Sequence, residues 1–336
     1  MSTSVPGKAW LQPRDLSFFD HADRLALLSR QGDPLERLNA VVDWQLFAPA
    51  LADLLPPAPA QGPGGRPAFP HLLLCKILLL QRLYSLSDEQ TQYQILDRYS
   101  FARFLGLTPA DPVPDQNTIR TFRERLGAAG AARLFAAFNE HLHRQGLLPR
   151  EGVIVDATFV EVPRQRNPRA ENEQLQRGET PAAWSAQKAA HKDVDARWTQ
   201  KNGARFFGYK NHVKINRATK LITAAVVTPA SVHDSQVLGQ LVAAGDDYCV
   251  ADSAYSGRPV ERQLAAVGVA GLIVQKAARN RPLTRADKAD NRASARLRAR
   301  GRASLRRDER RVGADLSKIY RTGAQPGRDP ADEPGV

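Results

Sequence analysis

The feature that most limits the fold of this chain is a change of hydrophobic period at residue 152. Before that point apolar residues recur at helical spacing, and after it short β-rich runs take over. A single switch of this kind predicts a helical region followed by an α/β region, not one uniform bundle or barrel. With 336 residues, each part is long enough to bury a core of its own.

Within the helical part, residues 1–150, Asp33, Pro34 and Glu36 supply a cap, a preset φ and an acid suited to a helix start. Leu35, Leu38, Val42, Leu46 and Ala50 then predict one amphipathic helix. Residues 56–70 hold six prolines and three glycines, which predicts a linker or exposed loop. Ser87 and Gln90 resemble a capping box opening a helix through Tyr93 and Leu96, with the apolar run 71–84 as its buried neighbour. Residues 118–126 read as a short helix presenting Arg120, Arg123 and Arg125 and stopped by Gly127. That helix reads equally well as a nucleic-acid contact or as a solvated basic face. An alanine-rich helix follows, ending near Gly146.

Beyond residue 152, strands are expected over 152–162, 207–215, 221–228, 247–254 and 271–275, the second and third joined by a turn at 217–220. Helices are expected over 235–244, over 258–267 and from Thr284 onward. This order is that of an α/β domain with one mixed sheet. The polar stretch 163–206 is expected to be disordered or to form a DNA-facing insertion.

Charge narrows the partner. Lys and Arg total 48 against 35 Asp and Glu, a formal net charge of +13, which favours a polyanion. Much of the excess lies in 279–311, with thirteen Lys/Arg against four acids. This is a phosphate-tracking surface or an exposed helix with counterions. The two cysteines, Cys75 and Cys249, form neither a disulfide framework nor a zinc motif, and a reducing cytoplasm is expected. The N-terminus lacks signal-peptide order, and the apolar run 71–80 is too short to span a bilayer.

Candidate chemistry centres on two acids. Asp156 interrupts an apolar strand, where a carboxylate needs a cation or donors to offset its desolvation; alone, it also reads as a strand-end Asp bonded to backbone amides. Asp252 ends a second apolar run. Acids at the ends of neighbouring strands can share divalent cations and serve phosphodiester chemistry, provided the fold brings them together. His233 and Asp234 precede a helix, with Asp234 expected as its N-cap.

These segments carry a family resemblance. FPHLLLCKILLLQRLYSLSDEQTQYQILDRYSFARFLGL, PDQNTIRTFRERL, GVIVDATFVEVPRQRN, FGYKNHVKI, TPASVHDSQVL and ADSAYSG, in this order over about residues 66–300, resemble an IS5-family (IS4-like superfamily) DDE transposase. The resemblance implies an N-terminal helical, DNA-binding region and an RNase H-like catalytic domain at 151–300. It also implies three acids holding Mg²⁺ (or Mn²⁺) ions that cut double-stranded DNA at terminal inverted repeats and join it to target DNA. By motif the first acid corresponds to Asp156 and the second to Asp252. Lys210 and His212 lie in the GYKNH strand, where phosphate contact, packing and solvent pairing are all open. Arg292, Arg296, Arg298 and Arg300 lie on the basic helix as DNA-binding candidates. A homo-oligomer on DNA and a nucleoid-associated, cytoplasmic location are expected, without a membrane.

The family's third acid is expected in an R-x-x-x-E pattern, which counted from Arg298 falls on position 302, an arginine. Val-Glu-His codons read one base early yield Gly-Arg-Ala and then a T-initial codon, and the chain has Gly301, Arg302, Ala303, Ser304. Residues 301–336 are therefore expected to be an aberrant, frameshifted or disordered tail. Asp308 and Glu309 lie about two helical turns beyond the expected slot, too far for a metal site with narrow positional tolerance. Three readings follow: a transposase inactivated by loss of its third acid, a non-catalytic DNA-binding protein that represses transposition from element ends, and a metal-dependent nuclease without joining activity.

Overall fold

The structure is a computed structural model that describes residues 19–56, 67–149, 151–201, 203–277 and 282–312; for Ala190 and 300–312 it describes the backbone alone. The linker residues 57–66 and the tail residues 313–336 lie outside the described residues. The chain divides into two compact units, one of residues up to Ala48 with Ala58–Phe122, the other of Pro49–Pro57 with Arg123 onward.

The first unit is helical. It contains α1 (Asp20–Arg30) and α2 (Pro34–Val41), while α3 (Ala48–Leu54) leads into the second unit. The helices α4 (His71–Leu83), α5 (Asp88–Asp97) and α6 (Tyr99–Leu105) complete it, with the first turns of α7 (Gln116–Arg144). Asp33 caps α2 as expected, accepting from Leu35 N at 2.9 Å. The single helix expected through Ala50 is instead broken: Val42 is extended, and Asp43 accepts from Gln45 N at 3.0 Å to start a 3₁₀ turn over Trp44–Phe47. The local side-chain bond competes with the helical ladder there, which apolar spacing alone does not reveal. Ser87 and Gln90 form the full capping box. Leu74, Ile77, Leu80, Ile95, Phe101 and Phe104 make the core. Arg103 donates to Asp33 Oδ2 at 2.5 Å, and Lys76 to Asn39 Oδ1 and Phe104 O, both at 3.0 Å. Part of the chain's positive charge is thus spent inside the fold.

In α7 the backbone leaves helical geometry at Gly127 (φ 58°, ψ −175°), the expected stop. The second unit is built on a six-stranded mixed sheet: β1 (Val153–Glu161), β2 (Arg197–Lys201), β3 (Ala204–Asn216), β4 (Ile222–Pro229), β5 (Tyr248–Ala251) and β6 (Ala270–Ile273). The strand path is β2-β3-β1-β5-β6, with β4 also paired to β3. β3 is antiparallel to β1, β2 and β4, whereas β5 is parallel to β1 and β6. At the β3–β4 turn Asn216 Oδ1 accepts from the backbone N–H of Ala218 and Thr219, a side-chain-made turn.

Against the disordered alternative, the described residues of the 163–206 insertion are folded. It forms α8 (Arg169–Gln176), α9 (Ala186–Ala190) and β2. Its charges are used locally: Lys188 pairs with Glu171 at 2.7 Å, and Arg197 donates to the carbonyls of Val194, Ala196 and Leu175. Leu175 and Trp184 are its buried anchors. A polar composition therefore does not mean an unfolded segment when the polar groups satisfy one another.

Helices cover both sheet faces. On one, α10 (Leu238–Leu241) and α11 (Arg258–Ala266) join Val153, Val155, Cys249 and Tyr255 in a core. The helix expected over 235–244 is only α10 preceded by a 3₁₀ turn over Asp234–Gln236. On the other face, α12 (Arg285–Val312) packs on β1, β5 and β6, with Leu297 against Ile154, Val213, Ile215 and Val250. Thr284 and Asp287 exchange bonds of 2.9 and 3.1 Å at its start. The helical backbone continues past Arg300 to Val312, so the expected tail at 301 begins as helix.

Candidate active site

Strand register explains how distant acids meet. Parallel pairing aligns Val153 with Cys249 and Ile154 with Val250. Two residues further along each strand lie Asp156 and Asp252, at matched positions on the same sheet face by the two-residue period. Asp252 keeps extended geometry (φ −81°, ψ 174°) and caps the 3₁₀ turn Ser253–Tyr255, accepting from Ala254 N at 2.7 Å. Asp156 is nearly buried, with its side chain 5 % exposed.

The third partner is a cation. Arg298 Nη2 lies 3.2 Å from Asp156 Oδ1 and 3.5 Å from Asp252 Oδ2. Both carboxylates contact one nitrogen, so those oxygens are at most roughly 7 Å apart, compatible with two acids serving one catalytic centre. Register holds Arg298 in place: Asn291 bonds Gln275 N at 2.8 Å and Gln275 O at 3.0 Å, Ser294 is buried, and Leu297 enters the core. Residues 291, 294 and 298 share one helix face.

A divalent cation at this centre would need several converging oxygen or nitrogen donors. Among the described residues, no group of three or more His, Cys, Asp or Glu side chains is placed to hold a metal ion. Asp156 and Asp252 supply two carboxylates, but a guanidinium spans them. Position 302, one turn beyond Arg298 on α12, carries arginine and not an acid; side chains from 300 onward are outside the description. The residues present do not fit a two-cation centre.

Lys210 and His212 lie on the opposite face of the sheet, since β3 pairs Lys210 with Phe159 and His212 with Ala157. His212 is fully buried, with Nε2 3.0 Å from Thr228 Oγ1 and Nδ1 3.4 Å from Tyr255 Oη. Burial foremost, helped by Lys210 and opposed by Asp234, lowers its pKa below the usual 6.5. Its place is a packed polar core, so contact with DNA is not available to it in this fold. Lys210 donates to Val232 O at 2.7 Å and to Asp234 Oδ1 at 2.8 Å, so its charge is met by an internal ion pair and a carbonyl. Asp234 is accordingly not the N-cap: His233 occupies that position, accepting from Ser235 N at 3.3 Å. Burial first, and then the charges of Asp234, Asp156 and Asp252, push the Tyr255 phenol up.

Of the remaining basic candidates, Arg292 and Arg296 are exposed on α12, and Arg120 and Arg125 on α7, while Arg123 is half-buried. The Arg300 side chain lies outside the description. Sequence reasoning missed four partners: Arg298 as the cation between the acids, Tyr255 and Thr228 flanking His212, and Asp234 opposite Lys210. The available signal for the first was the R-x-x-x-E count itself, which places Arg298 one turn before the acidic slot on the same face.

Residues 23–125 match the family model described as a transposase domain (DUF772), and residues 148–312 match the one described as a transposase DDE domain. The second match continues past Arg300, as α12 does. No solved structure matches the chain. With Asp156 and Asp252 side by side inside the second matched region, the chain carries the domain composition of a DDE transposase.

Proposed function

We propose that this chain is the transposase of an IS5-family insertion sequence, which binds the element's terminal inverted repeats and descends from enzymes that cut and transfer DNA strands. The observation that carries this reading is the Asp156–Asp252 juxtaposition on one sheet face within the matched DDE region. The strand order β4-β3-β1-β5-β6, with three antiparallel strands followed by two parallel ones, supports an RNase H-like catalytic domain. DDE transposase domains generally use divalent cations, and Mg²⁺ or Mn²⁺ is the ion proposed for a complete centre of this type. In the cell the chain would work on nucleoid DNA as a homo-oligomer.

A second reading, a DNA-binding protein that occupies element ends without cutting, is favoured by one observation: the slot for the third acid holds Arg302. The basic surface remains in either case, with Arg292 and Arg296 exposed on α12 for phosphate contact. Asp156→Asn and wild-type protein, incubated with inverted-repeat duplex and Mg²⁺ or Mn²⁺, separate the two. The expected result is binding that prefers the repeat, with little or no nicking or strand transfer. Robust metal-dependent nicking lost in Asp156→Asn overturns the inactive reading, and equal affinity for repeat and scrambled duplexes overturns the transposase-end reading.

A further inference from the structure

We propose that Arg298 is the resident cation of the Asp156–Asp252 pair in this chain, and that its guanidinium keeps divalent ions out. The inference rests on the reading that these acids form the site. It concerns what occupies the pair, which the domain matches do not address.

Geometry carries the argument. A divalent ion bound by both carboxylates must sit between their oxygens, at roughly 2.0–2.6 Å from each. Arg298 Nη2 already lies between them, 3.2 Å from Asp156 Oδ1 and 3.5 Å from Asp252 Oδ2. The two positions overlap closely enough that ion and guanidinium would repel at short range in a poorly hydrated site, where charge interactions are strong. Arg298 is only 13 % exposed, and its neighbours Ser294 and Leu297 are packed into the fold. It is therefore not a surface side chain that swings aside freely. Its Nε is buried and has no hydrogen-bond partner among the described residues.

Charge points the same way. A guanidinium between two carboxylates leaves a net charge of about −1, a weaker attraction for a divalent ion than the free pair. The next turn of α12 offers arginine at position 302 where an acid would be needed to restore the attraction. A polar group that neutralises the acids without an exchangeable ion also keeps Asp156 stable within the sheet, which a bare buried carboxylate is not.

The test is Mn²⁺ binding to the full-length protein, read by the loss of free-ion signal in electron paramagnetic resonance, with thermal melting in parallel. Wild-type protein is expected to bind Mn²⁺ no better at this site than Asp156→Asn does. Arg298→Gln is expected to bind at least tenfold more tightly than wild type, to melt lower without the ion, and to regain stability when Mn²⁺ is added. Asp156→Asn added to Arg298→Gln should abolish the gain. Equal Mn²⁺ affinity in wild type and Arg298→Gln overturns the proposal. Should Arg298→Gln not fold, wild type alone decides: a tight Mn²⁺ site that Asp156→Asn removes overturns it, and matching weak binding in the two supports it. Since the readout is ion binding and not DNA cleavage, this proposal and the transposase reading fail separately.

Discussion

Replacing Gly208 with alanine should unsettle the strand pairing that positions Asp156. Gly208 lies in the FGYKNH segment of β3 with φ +146°, opposite Glu161 of β1. A Cβ there would fall 2.1 Å from the backbone oxygen of Val160 and 3.1 Å from the nitrogen of Val162. Neither atom belongs to a side chain that can rotate away, so β1 and β3 must separate locally. Adjacent bonds at risk are Val162 N to Phe207 O at 3.1 Å and Ala230 N to Gly208 O at 3.0 Å. At about 1 kcal/mol for each bond lost and about 1–3 kcal/mol for the strained backbone, the cost is roughly 3–5 kcal/mol. At about 2–4 °C per kcal/mol for a domain of this size, the sheet-containing unit should melt roughly 6–20 °C lower. Circular dichroism at the β-sheet minimum, followed through the melt, measures this. A Gly208→Ala protein that melts within about 2 °C of wild type would refute the steric reasoning, because no flexible atom is present to absorb the clash.

Other perturbations test the remaining contacts. His212, whose pKa is lowered in the fold by burial, gives full stability above its unfolded value near 6.5 and loses it as pH falls toward the depressed folded value. Melting temperature against pH should therefore decline below about 6.5, and His212→Gln should flatten that limb. Asp33→Ala removes both the α2 cap and the partner of Arg103 at 2.5 Å, and should cost about 3 kcal/mol or more in denaturant unfolding, well beyond a cap alone at about 1. Arg292→Gln with Arg296→Gln, both exposed on α12, should weaken DNA binding in low salt and reduce the slope of log K against log salt by roughly 2. A slope unchanged by the pair would place the phosphate contacts elsewhere.

Much of the architecture was legible because local chemistry and packing agreed. The capping box at Ser87 and Gln90, the stop at Gly127, strands β1, β3 and β4, and the start of α12 are specified by short-range signals that burial reinforces. Failures came where a side chain answered to a distant partner. Asp234 reads as a cap until Lys210 of β3 is brought beside it, and for His212 phosphate contact, packing and solvent pairing stay open until Thr228 and Tyr255 are seen to enclose it. The 163–206 insertion misled because its composition is that of a solvated segment, while Leu175, Trp184 and a few local ion pairs suffice to order it. Asp156 and Asp252 were individually visible, but their proximity depends on the parallel β1–β5 register, which no local pattern encodes. Arg298 was read as one more basic residue, and only the packing of α12 through Asn291 and Leu297 turns it inward.

Adjacency of the two acids is the point on which the account stands, and a cysteine pair measures it without relying on activity. Asp156→Cys/Asp252→Cys protein, treated with dibromobimane, which fluoresces once it has bridged two thiols, should become strongly fluorescent. Each single variant should stay dim, since Cys249 is buried and its thiol is pushed up to about 12. If the folded double variant alkylates singly at both positions and never bridges, residues 156 and 252 are not neighbours, and the proposed site does not exist.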